Sequence, residues 1–92
     1  MNVKAAGYMF INKSKDGKNN ICGKNISILR KNMRISQREL ADLMQVSGLD
    51  IDKNAIQRIE AGKRFVTDIE LVVFSNVLET KIEKLLLSEI TV

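Results

Sequence analysis

Ninety-two residues bound the chain to one small domain with a limited core. The inventory of no His, no Trp and one Cys excludes zinc sites built from several soft ligands and triads that need an imidazole. The net charge of +4 is unevenly placed: Lys4, Lys13, Lys15, Lys18 and Lys24 against Asp16 carry all of it within the first 24 residues, and the remainder sums to zero.

In chain order, residues 1–21 show no helical period and hold the turn-prone run Asn12 to Asn20 around Asp16-Gly17. They are expected to form a flexible basic arm, with a domain occupying 22–92. From Gly23 the pattern changes. Ile26, Leu29 and Met33 recur at helical spacing beside Arg30, Lys31 and Arg34, which predicts a first helix. Ser36-Gln37-Arg38-Glu39 is a capping box that starts a second, with Leu40, Leu43 and Met44 as its buried stripe and Gly48 as its left-handed stop.

Asp52 is a good N-cap for a third helix over 53–62, and Gly62 suits the residue that closes it. Residues three and four apart share a face, so Ala55, Ile56 and Ile59 point one way while Lys53, Asn54, Gln57 and Arg58 point the other. A polar helical face most often simply meets water. These four side chains, however, carry the donor and acceptor geometry that matches base edges in a DNA major groove.

Thr67-Asp68-Ile69-Glu70 and Thr80-Lys81-Ile82-Glu83 repeat the capping-box pattern and start a fourth helix over 68–78 and a fifth over 81–90. The fourth carries Leu71, Phe74 and Leu78 on one stripe and Ile69, Val72, Val73 and Val77 on others. It is apolar nearly all round and is expected to be buried on more than one side. The fifth offers Ile82, Leu85, Leu86 and Ile90. The result is an all-α, compact five-helix domain with no strand pattern. Cys22 reads as a small packed apolar residue, and no apolar run approaches the roughly 20 residues that cross a bilayer. An intracellular, cytoplasmic protein is expected, with no membrane association, no metal and no cofactor.

The succession Ile26, Leu29-Arg30, Ser36-Gln37, Glu39-Leu40-Ala41, Ala55-Ile56, Ile59-Glu60, Gly62-Lys63-Arg64 and Leu71 to Leu78 resembles the Cro-like phage-repressor helix-turn-helix family, of the xenobiotic-response-element type, over about Gly23 to Leu87. The resemblance implies a lambda-repressor-like domain that binds double-stranded DNA, usually as a homodimer, and regulates transcription in bacteria or phages. It implies base contacts from Lys53, Asn54, Gln57 and Arg58 in the major groove and phosphate contacts from Gln37, Arg38, Lys63 and Arg64. It also implies a structural ion pair between Arg30 and Glu60. The link between Ala41 and Ile56 is longer than the family's short turn, which bears on the angle of the reading helix.

A sequence-specific DNA-binding transcriptional regulator, with repression as the favoured mode and activation left open, is therefore the expected function. The alternative is an antitoxin or adaptor-type protein-interaction module that grips its partner with the apolar helices over 68–78 and 81–90. An enzyme is not expected, because groups suited to acid-base work near neutrality are missing.

Overall fold

The computed structural model describes residues 13–87 and is all-α, with five helices and no strand among those residues. They are α1 (Cys22–Asn32), α2 (Gln37–Val46), α3 (Lys53–Glu60), α4 (Asp68–Val77) and α5 (Ile82–Leu85). No helix among the described residues is long and apolar enough to cross a membrane.

Two capping boxes form as the spacing predicts. Ser36 Oγ accepts from Glu39 N while Glu39 Oε1 accepts from Ser36 N, and Thr67 and Glu70 reciprocate in the same way at α4. The predicted third box at Thr80 does not form: Lys81 occupies the N-cap of α5 with no side-chain bond. The reason lies upstream, where Glu79 turns left-handed (φ 53) and the Thr80 amide donates to Ser75 O, closing α4 instead of opening α5. α5 is accordingly one short turn, and the part of its predicted span beyond residue 87 lies outside the described residues.

The core gathers Cys22 and Ile26 of α1, Leu40, Ala41 and Met44 of α2, Ile56 and Ile59 of α3, Phe74 of α4, Leu78 and Leu85. α3 packs on both α1 and α2, and α5 on both α1 and α4. Ile51 joins this core from the loop over 47–52, where it stands just before the Asp52 N-cap and completes a hydrophobic staple with Ile56. Burial pushes the Cys22 thiol up to about 11, so it is protonated at neutral pH and packs as an apolar group.

Several stripes are narrower than expected. Met33, Leu43 and Leu86 are exposed, and Met33 and Leu86 stand just past the ends of α1 and α5, at their C-caps. α4 is covered on one side only: Phe74 is buried, whereas Ile69 is 65% and Val72 47% exposed.

Asn25 is a buried polar residue of α1 that belongs to no apolar pattern. Its amide donates to Leu85 O and Leu87 O at 2.7 Å each, supplying the carbonyl partners that the end of α5 lacks. One buried amide thus joins the first helix to the last.

Candidate nucleic-acid interface

α3 is eight residues long, shorter than the 53–62 read from the sequence, because Gly62 (φ +77) is the left-handed residue after the cap and not part of the helix. An isolated helix of two turns is unstable in water, so its position depends on what holds its ends. At the N-terminus, Asp52 Oδ1 accepts from Ala55 N at 2.8 Å. Gln45 of α2 donates to Ile51 O at 3.0 Å and so braces the longer loop against the helix before it.

The C-terminal end is held by groups distant in sequence. Arg30 Nε and Nη2 donate to Glu60 Oε2 and Oε1 at 2.7 and 3.0 Å, in a fork with both side chains nearly buried. Arg30 Nη1 donates to Ile35 O at 2.8 Å, so the same guanidinium fixes the turn between α1 and α2.

Residues 13–21, expected to belong to a free arm, are docked here. Asn19 donates from its backbone to Gly62 O and from its side chain to Lys63 O, and the Asn20 amide donates to Ile59 O and Arg64 O. Asn20 Oδ1 also accepts from Gly23 N at 2.7 Å, so one side chain ties the start of α1 to the end of α3. The backbones meet closely at this point: a Cβ on Gly23 would lie 2.0 Å from Ile59 O. The arm reading missed this because two asparagines in a polar run look like turn residues, yet helix-end carbonyls are what asparagine amides satisfy. Residues 1–12 of that arm lie outside the described residues.

This frame presents Lys53, Asn54, Gln57 and Arg58 together on one exposed face of α3. No side-chain hydrogen bond among the described residues engages any of the four. Asn54, Gln57, Arg58, Ala61 and Lys63 line one shallow groove, and Lys53 and Asn54 share a second with Arg38, Asp42 and Gln45 of α2. Arg38 and Lys63 thus flank the face from either end, both exposed.

Two expected phosphate ligands are engaged elsewhere. Gln37 Nε2 donates to Glu60 Oε1 at 3.0 Å and becomes the third member of the Arg30–Glu60 cluster. Arg64 turns both terminal nitrogens to Glu70, at 3.0 Å each, because the capping box at Thr67 already aims that carboxylate across the loop. The hydrogen bonds from Arg64 hold the Glu70 carboxyl below the ordinary carboxylate range. A depressed carboxylate stabilises the fold above its unfolded-state pKa, and this contribution is lost as pH falls through the lower folded-state value.

Chemically, the surface offers amide and cationic donors on an exposed helical face bordered by two shallow grooves. The chain matches no protein-family model, no curated protein and no solved structure.

Proposed function

We propose that this chain is a sequence-specific double-stranded DNA-binding regulator of transcription, a repressor, that places α3 in the major groove. The observation that carries the reading is the face of Lys53, Asn54, Gln57 and Arg58, exposed and with no side-chain hydrogen bond to the described residues, on a helix braced at both ends. A short rigid helix fits a groove about 12 Å wide, where Asn pairs with adenine and Arg with guanine. Lys63 and Arg38 hold backbone phosphate at the two flanks.

The regulator acts as a homodimer. Phe65, Ile69 and Val72 are 56, 65 and 47% exposed on the loop after α3 and the outer side of α4, an apolar stripe that a second copy covers. The same stripe supports the second reading, a protein-interaction module. Sedimentation of the purified chain separates them: self-association favours the homodimer, and a strict monomer with or without DNA favours a foreign partner.

Selection from a random duplex pool defines the preferred site, and three variants then test the face. Asn54→Ala and Arg58→Ala each weaken that site by about 1 to 3 kcal/mol, far more than they weaken random duplex. Lys63→Ala weakens both alike and lowers the salt slope by about one unit. Equal losses on specific and random DNA for Asn54→Ala and Arg58→Ala would reduce the face to a phosphate clamp.

A further inference from the structure

The reading face leaves the chain's net charge unexplained. Beyond residue 24 the acidic and basic residues balance, so the whole surplus of +4 resides in the first 24 residues. The structure gives much of that surplus a fixed place. Ser14 N donates to Lys18 O and Gly17 N to Ser14 O, forming a tight turn in which Gly17 is left-handed (φ +80). Asn19 docks this turn on Gly62 and Lys63, and Lys13 Nζ donates to Asn19 Oδ1 at 2.9 Å. The methylenes of Lys18 lie over Gly62, where an added Cβ would come within 2.6 Å of Lys18 Cδ. Lys13, Lys15, Lys18 and Lys24 are all exposed and line one concavity of about 620 Å³ that reaches Glu60 and Gly62 at the end of α3. Two carboxylates share it. Asp16 accepts from Ser14 Oγ within the turn, and Glu60 is neutralised by Arg30.

A cation beside the last turn of a helix answers the negative end of its dipole, but that field decays within a turn. It accounts for Lys18 over Gly62, not for all four. Four cations around one concavity, three on or beside the anchored turn and Lys24 in the first turn of α1, instead have the form of a site for a polyanion.

We propose that Lys13, Lys15, Lys18 and Lys24 form a phosphate-binding rim that extends the reading face past the end of α3 and grips the DNA backbone where that helix leaves the groove. The proposal rests on the DNA-binding reading and adds to it a sequence-independent contact outside α3, made by the turn before α1 and by the first turn of α1. The rim sets affinity and encounter rate, and the α3 face sets preference.

The test uses the full chain and a random-sequence duplex, with binding followed by fluorescence anisotropy across a salt series. Lys15→Gln with Lys18→Gln removes two charges but keeps the Cβ, Cγ and Cδ atoms that cover Gly62. The logarithmic salt slope is expected to fall by about two units, with thermal unfolding unchanged. Lys15→Arg with Lys18→Arg is expected to restore the parent slope. A parent that binds while the glutamine variant keeps the same slope overturns the rim and leaves the DNA-binding reading standing. A parent that binds no duplex at low salt overturns both.

Discussion

The two ends of α3 are secured by different means. At the N-terminus everything comes from nearby: Asp52 caps, Ile51 staples, and Gln45 bonds the loop six residues on. At the C-terminus the partners lie 23 to 44 residues away, in Gln37, Arg30, Asn19 and Asn20. A local cap fixes where a helix starts, but only tertiary anchors fix where it points. The aim of the exposed face is therefore set mainly from the C-terminal end.

The largest effect expected from that contrast is at the Arg30–Glu60 fork. Arg30→Ala or Glu60→Ala leaves a nearly buried charge unpaired and should cost about 3 to 5 kcal/mol in urea unfolding, with the double variant costing less than the sum. Simple additivity would reduce the C-terminal anchorage to the asparagines. A middle-sized effect separates the ends directly. Asn20→Ala strands two carbonyls and the Gly23 amide and should cost about 1 to 3 kcal/mol, more than Asp52→Ala at about 1 kcal/mol. The asymmetry is broken if Asp52→Ala proves the more damaging.

The smallest effect is a gain at other helix ends. α3 closes on Gly62, whereas α1 and α4 close on Arg34 (φ 60) and Glu79 (φ 53), side chains in a conformation that favours glycine. Arg34→Gly and Glu79→Gly should each stabilise by roughly 0.5 to 1 kcal/mol, seen as a higher melting temperature. A lower one would show that these side chains contribute more than their backbone strain costs.

The same division explains how far the amino-acid order could be read in advance. Helix starts at Ser36, Asp52 and Thr67 were legible because their caps are local patterns of fixed spacing, and the unlike faces of α3 follow from periodicity alone. Asn20 and Asn25 were not. Each acts on carbonyls 39 or more residues away, and nothing in its neighbours encodes that distance. The engagement of Arg64 and Gln37 was hidden for a related reason. A surface cation or amide has no sequence mark that says whether a carboxylate will turn toward it, and Glu70 and Glu60 do so only because a cap and an arginine aim them. One trace of Asn20 was available, since an asparagine three residues before a buried Gly23 matches the spacing of a side-chain cap.

The near contact of Gly23 with Ile59 O has a consequence for hydrogen exchange. A helix of eight residues would ordinarily fray and exchange its amides through cheap local openings. Here the last turn of α3 cannot unwind without stripping the Ile59 carbonyl from Asn20, which Gly23 holds at the start of α1, and without breaking the Arg30 fork. The amides of Ile59 and Glu60 are therefore expected to exchange only with the slow, global unfolding of the domain. Slow exchange there would tie the exposed polar surface of α3 energetically to the core and to α1.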